Sequence, residues 1–227
     1  MKFKFVRSQP VVSDVRSFIF EPEEPVKWQP GQYFHYTLPH DNQDDRGNER
    51  WFTCSAAPSE GHVMISTRIS DKSSSFKKVL DKLQPGDEIE VDGPEGDFTI
   101  DDISRNYIFV AFGIGITPYR SMLLESANKG EKLKVDLIYA NRPTGTPFKE
   151  ELEQLKSTNS DLKIEYVIDP QQVNKELIKQ HMDAVENPFV YLSGPEPVVK
   201  DFGAQLEAMG VSKEQIKLDD FPGYETY

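Results

Sequence analysis

A single cysteine, Cys54, stands among 227 residues. That excludes an internal disulfide and any thiolate-held iron–sulfur cluster or zinc ribbon built from these residues alone, and no metal site is expected. Positive charge is scarce as well: 26 lysines and arginines face 38 aspartates and glutamates, giving a net charge of −12 with both halves acidic. Phosphate backbones and anionic lipids attract basic patches, so neither nucleic acid nor membrane is an expected partner. No apolar run is long enough to cross a bilayer. The opening Met1–Val6 alternates Lys with Phe and Val, which suits a first strand and not the apolar core of a signal peptide. The expectation is a soluble, cytoplasmic protein of open oligomeric state, with length enough for two modest domains.

What is present divides into two rhythms. Up to about residue 103, short strand-like runs at 3–7, 15–20, 33–38, 50–55, 63–69 and 88–92 are separated by turn residues such as Pro30-Gly31 and Pro85-Gly86, and predict a six-stranded antiparallel β-barrel. In the fifth run, Val63, Ile65 and Thr67 alternate with Met64, Ser66 and Arg68, which predicts one wall in the core and one facing out. A short helix is expected over 74–83, and the polar, charged loop 39–49 is expected to be mobile. Beyond Ile103 the pattern becomes strand, helix, strand, helix. Strands at 107–111, 134–140, 163–168, 189–193 and 215–218 and helices near 117–128, 147–155, 175–182 and 195–209 predict a Rossmann-like five-stranded parallel sheet with helices on both faces. Val198, Phe202, Leu206 and Met209 read as a core stripe of the last helix. The expected domains are 1–103 and 104–227.

Two segments carry chemistry. Val110-Ala111-Phe112-Gly113-Ile114-Gly115-Ile116-Thr117-Pro118 runs from a buried strand through a glycine turn into a helix. The glycines allow left-handed dihedrals and close approach of a ligand's phosphates. Thr117 as cap and Pro118 in the first helical position would aim free N–H groups at the turn. Glycine pairs after strands also serve tight packing alone, and the residues leave both readings open; with no Lys-Ser or Lys-Thr following, this is not a Walker loop. In Arg50-Trp51-Phe52-Thr53, strand alternation sets Arg50 and Phe52 on one face and Trp51 and Thr53 on the other. A cation, an aromatic plane and a hydroxyl are what a flavin needs, although an ordinary barrel strand would read the same way.

With these segments in order, the chain resembles the ferredoxin–NADP reductase superfamily from Phe3 to about Phe221. The matching stretches are Pro30-Gly31-Gln32-Tyr33, RWFTCSAAP from Arg50, QPGDEIEVDGPEG from Gln84, FGIGITPYRSML from Phe112, LIYANR from Leu137 and SGPEPVV from Ser193. The resemblance implies a flavin domain followed by an NAD(P)-binding domain, in a stand-alone oxidoreductase without a fused ferredoxin domain. Hydride would pass from NADH or NADPH to bound FAD, FMN being the less favoured flavin, and then electrons to a separate acceptor: a ferredoxin, flavodoxin, oxygenase component or small molecule. The alternative is a flavin-binding regulatory or scaffold subunit without nicotinamide turnover of its own.

By the same resemblance Arg50 would hold the flavin diphosphate, Phe52 pack on the isoalloxazine and Thr53 donate to flavin N5, with Trp51 part of the same cofactor-binding tetrad. Ser74 and Ser75 would bind phosphate, and Thr67 and Arg68 lie under the ring. Gly113, Gly115, Ile116, Thr117 and Pro118 look like the nucleotide pyrophosphate turn, and Ser193, Gly194 and Pro195 like the segment beside the nicotinamide, with serine where many members have cysteine. Phe112 stands where familiar relatives have Gly or Thr. Phe221 is the best match for the aromatic that covers the flavin, with Tyr224 and Tyr227 as alternatives. Asp169, where phosphate-selective members carry serine, points to NADH, while Arg142 pulls towards NADPH. Lys72, Lys77, Lys78 and Lys82 offer a local basic patch for an acceptor, or simply a solvated helix face.

Overall fold

The computed structural model describes residues 1–169 and 171–222. Its first half holds β1 (Lys2–Val12), β2 (Val15–Pro22), β3 (Tyr33–Thr37), β4 (Glu49–Thr53), β5 (Val63–Arg68), α1 (Ser75–Leu80) and β6 (Glu88–Glu95). The strands form one antiparallel sheet in the order β4-β3-β6-β1-β2-β5. The sheet is rolled: just past β4, the Ser55 amide donates to Met64 of β5 at 2.9 Å, so the outer strands meet as a half-barrel. Alternation drives the roll. Phe3 and Phe5 of β1, and Phe34 and Tyr36 of β3, turn inward onto Phe18 and Phe20 in an aromatic core.

β5 departs from its alternation pattern, because Val63 through Thr67 are all buried. The wall expected to face solvent is covered. Ser66 Oγ shares hydrogen bonds of 2.7 Å with Ser17 and Ser55, and the turn at 113–115 packs on the strand.

The second half comprises β7 (Asn106–Phe112), α2 (Ile116–Asn128), β8 (Lys134–Asn141), α3 (Lys149–Thr158), β9 (Leu162–Ile168), α4 (Lys175–Asp183), β10 (Phe189–Pro195), α5 (Glu196–Ala208) and β11 (Ile216–Phe221). All five strands are parallel, in the order β11-β10-β7-β8-β9. Residues on one side of the sheet pack with α2 and α3, and those on the other with α4 and α5, as the near-continuous apolar strands require. On α5 Leu206 is buried with Val199 and Gly203, and Val198 and Phe202 pack against the same cluster as expected; Met209 is exposed. Gly203 leaves room for Leu218, whose Cδ1 would lie 3.1 Å from any Cβ there. Among the described residues no helix is long and apolar enough to cross a membrane.

The two sheets are joined through Arg120 on α2, which is 6% exposed. Its guanidinium binds Glu60 at 2.8 and 3.0 Å and Glu151 at 2.8 Å twice, and donates to the Ser55 carbonyl at 2.6 Å. Beside it Ser121 Oγ donates to the Ala56 carbonyl at 2.7 Å. Across the molecule Lys217 Nζ reaches the carbonyls of Asp97 and Thr99 at 2.9 and 3.0 Å, and Tyr191 Oη that of Thr99 at 2.9 Å, fixing the connecting segment. Removing one member of a buried ion group strands the others' charge. Arg120→Ala is therefore expected to lower unfolding stability by about 3–5 kcal/mol, with Arg120→Lys recovering only part because it loses the bidentate fork; urea denaturation measures both.

Candidate cofactor-binding cleft

Strands in the second sheet are added on one side of β7 by β8 and β9 and on the other by β10 and β11, so the crevice between the carboxyl ends of β7 and β10 is the topological switch point where open α/β sheets bind ligands. The glycine turn sits there. Gly113 has φ of +59°. A Cβ on Gly115 would lie 2.1 Å from the Ser193 carbonyl oxygen, and one on Gly194, whose φ is +153°, would lie 2.6 Å from the Phe112 Cβ. Backbone therefore meets backbone, and the starts of α2 and α5 open onto one crevice with N–H groups free of side-chain caps. The tight-packing reading of the glycine pair is what the structure shows, and that packing brings the two turns into one place.

Two details differ from expectation. Thr117 does not cap: α2 begins at Ile116, with Gly115 at the cap position, and the Thr117 hydroxyl donates to the Ile114 carbonyl at 3.1 Å. Pro118 is the third helical residue, still within the turn whose amides lack helical partners. The Phe112 ring stacks on Phe202 of α5, 5.4 Å away at 23°, while its Cβ lies against Gly194.

Ser193, fully buried, donates to Asp219 of β11 at 2.9 Å, the two residues facing each other in the β10–β11 register. Burial pushes the Asp219 carboxyl up to about 7, with the serine hydroxyl acting the other way. Asp219 is a residue that sequence reasoning missed; the register, which places it opposite Ser193, is the signal that finds it. Its charge also acts on Tyr33 of the half-barrel, whose hydroxyl is raised by burial, by Glu95 and by Asp219. Phe221 pairs with Pro195 and is partly exposed. Tyr224 and Tyr227 lie outside the described residues.

On the half-barrel side Thr53 is buried and lies directly across from Tyr33. Trp51 shares that face and is 57% exposed, stacked on His35 at 4.5 Å and 10°. Arg50 and Phe52 point the other way. Phe52 packs 5.9 Å from both Tyr36 and Phe76 with part of its ring exposed, and the Arg50 guanidinium lies 5.5 Å over Phe76. The tetrad is thus split, with Arg50 and Phe52 on one side of β4 and Trp51 and Thr53 on the other. Thr67 is buried in β5, and Arg68 pairs with Asp14.

The loop 39–49 is tied down where mobility was expected. Arg50 Nη1 gathers the carbonyls of Arg46, Gly47 and Glu49 at 2.7, 3.3 and 2.6 Å. Ser74 caps α1, accepting from the Lys77 amide at 3.4 Å, and the Ser75 amide donates to Asp44. Lys77 is buried, so the basic patch reduces to the exposed Lys72, Lys78 and Lys82. On the nucleotide side Arg142 and Asp169 are both exposed, and the Asp169 amide donates to the Asn141 carbonyl at 3.0 Å.

These residues fit the groups the resemblance implies. Arg50 is 5% exposed and its Nε has no hydrogen-bond partner among the described residues, so a buried cation faces its surroundings with a donor to spare for an anion. The bare backbone at Gly115 and Gly194 suits a second nucleotide. A rolled antiparallel sheet joined to a doubly wound parallel sheet is the two-domain architecture that the resemblance implies.

Comparison with known proteins agrees. Residues 2–100 match the oxidoreductase FAD-binding domain and residues 109–203 the oxidoreductase NAD-binding domain. A flavohemoprotein of Candida albicans is 31% identical over 248 residues, covering 98% of this chain and 60% of that protein. A cytochrome P450 reductase from Amycolatopsis superposes with a TM-score of 0.83 at 16% identity over 97% of this chain and 70% of its own, and the ferredoxin–NADP+ reductase of Plasmodium falciparum with 0.78 at 17% over 97% and 95%. The chain carries the oxidoreductase FAD-binding and NAD-binding domains, in the fold of the ferredoxin–NADP+ reductases. It spans a little under three-fifths of the length of the first flavohemoproteins it matches.

A carboxyl held neutral by the fold contributes stability that is complete below its unfolded value of 3.8 and lost as pH rises through about 7. Asp219→Asn is therefore expected to match the parent near pH 4 and to exceed it above pH 7 by on the order of 2 kcal/mol, allowing for the solvent that reaches this half-buried residue. Urea unfolding at pH 4, 6 and 8 reads the widening gap.

Proposed function

We propose that residues 1–103 hold FAD and residues 104–227 hold NADH, in a cytoplasmic reductase that delivers electrons to a separate acceptor. The observation that carries this reading is the meeting of the two halves at one crevice, where the glycine turn at 113–115 packs on β5 and Arg120 and Ser121 of α2 bind Ser55, Glu60 and Ala56 of the half-barrel. When bound, the cofactors supply the redox chemistry, hydride passing from nicotinamide to flavin before the electrons leave for the acceptor.

The chain's part is placement. Arg50, with Ser74 and Ser75, holds the flavin phosphates; Phe52 offers the exposed part of its ring and Thr53 its hydroxyl. Thr67 and Arg68 form the floor of the site, and the exposed Trp51 supports its rim through His35. Gly113, Gly115 and Thr117 present amides to the nucleotide diphosphate, with Ile116 between them, and Pro118, which has no N–H to offer, fixes the first turn of α2 behind them. Gly194 and Pro195 keep the backbone low beside it, and Ser193, held by Asp219, presents a fixed hydroxyl. Phe221 shields the crevice at its edge. Hydride transfer needs atoms about 3–3.5 Å apart, so the rigidity of Arg120's bridge between the halves matters more than any acid or base.

Asp169, exposed at the end of β9, repels a 2′-phosphate and accepts from a ribose hydroxyl. The acceptor remains of a broad class: the similar proteins are a flavohemoprotein, a P450 reductase and a ferredoxin reductase, and the chain's net charge slows encounter with an acidic partner.

Under anaerobic conditions the flavin absorbance should bleach on adding NADH, faster than with NADPH, and Asp169→Ser should narrow that difference. No bleaching with either nucleotide would leave a flavin-binding subunit, and an unchanged preference in the variant would remove Asp169 from the account.

A further inference from the structure

The loop between β3 and β4 places a carboxylate where an anion belongs. Asp44 Oδ1 lies 3.4 Å from Arg50 Nη2, while its Oδ2 accepts from the Ser75 amide at 2.6 Å. The Asp44 amide in turn donates to Ser75 Oγ at 3.1 Å, and the Arg46 amide closes a turn onto Asp44 Oδ1 at 3.0 Å. These donors hold the carboxyl below its usual range, Ser75's amide contributing most, so it stays charged. Three carbonyls of the same loop occupy Arg50 Nη1. The loop reaches the other half too, with Arg46 Nη2 3.4 Å from the Pro222 carbonyl, just beyond Phe221.

We propose that the Asp44 carboxylate is a built-in placeholder for the flavin's phosphate, holding Arg50 and Ser75 until the cofactor displaces it. The inference rests on the flavin reading of Arg50 and deepens it. A phosphate and the Asp44 carboxylate carry like charge and need the same donors, so they exclude one another at this cradle. The placeholder gives the buried guanidinium a carboxylate partner in the flavin-free protein, where an unpaired buried cation would be costly, while its Nε stays open to the cofactor. It also multiplies the apparent affinity for flavin by the fraction of molecules in which the loop stands open, and so weakens binding. Release of Asp44 frees Arg46 from Pro222, so entry of the cofactor loosens the contact between the loop and the end of β11.

Equilibrium titration of the flavin-free protein, read by quenching of flavin fluorescence, tests this. Asp44→Asn is expected to bind FAD about tenfold more tightly than the parent, while affinity for riboflavin, which has no phosphate, stays the same within about twofold. Equal FAD affinity in parent and variant, or an equal gain for riboflavin, overturns the placeholder and leaves the flavin reading standing. Failure of both proteins to bind FAD overturns both. A second measurement needs no variant: in the parent, FAD should speed amide hydrogen exchange across residues 40–48, and slower exchange there would contradict displacement.

Discussion

The close approach of Gly115 to the Ser193 carbonyl is the contact on which the cleft depends. It needs glycine, because any Cβ at 115 would fall inside bonded range of the Ser193 backbone, and it draws the start of α2 against the end of β10. Gly194 repeats the device from the other side against Phe112. With backbone seated on backbone, two helix starts share one crevice at the switch point, and the same turn packs on β5 of the half-barrel. The Arg120 bridge then holds Glu60 and Ser55 to α2 and α3, so the wall containing Thr53 and the wall containing Ser193 are fixed relative to each other.

The strands and helices were legible because local pattern and tertiary burial agree: Phe3 and Phe5 alternate inward, and the five apolar strands after residue 103 are covered on both faces. The errors have physical causes. On β5 the alternation failed because the second sheet covers the wall that a lone barrel would expose. On α5 the stripe stops before Met209, which lies exposed at the helix end. Thr117 has the composition of a cap, yet the Ile114 carbonyl competes for its hydroxyl. Asp219 escaped notice because its partner stands 26 residues earlier and only the parallel register of β10 and β11 joins them. Arg120 was visible within a motif, but its carboxylates at 60 and 151 are set by the packing of two units.

Loop 39–49 shows the same limit in another form. Its many charges suggested a solvated, mobile segment, yet those charges pair: Asp44 with Arg50 and the Ser75 amide, and Arg46 with the end of the chain's last described strand. A buried guanidinium organises the loop around itself.

The most direct measurement of the central claim is nucleotide binding by Gly115→Ala in the flavin-loaded protein. A methyl at 115 must push the end of β10 away from the turn, so FAD binding should persist while affinity for NADH falls by about tenfold or more, one misplaced backbone contact costing on that order. A folded variant that keeps FAD and binds NADH as tightly as the parent would contradict the account.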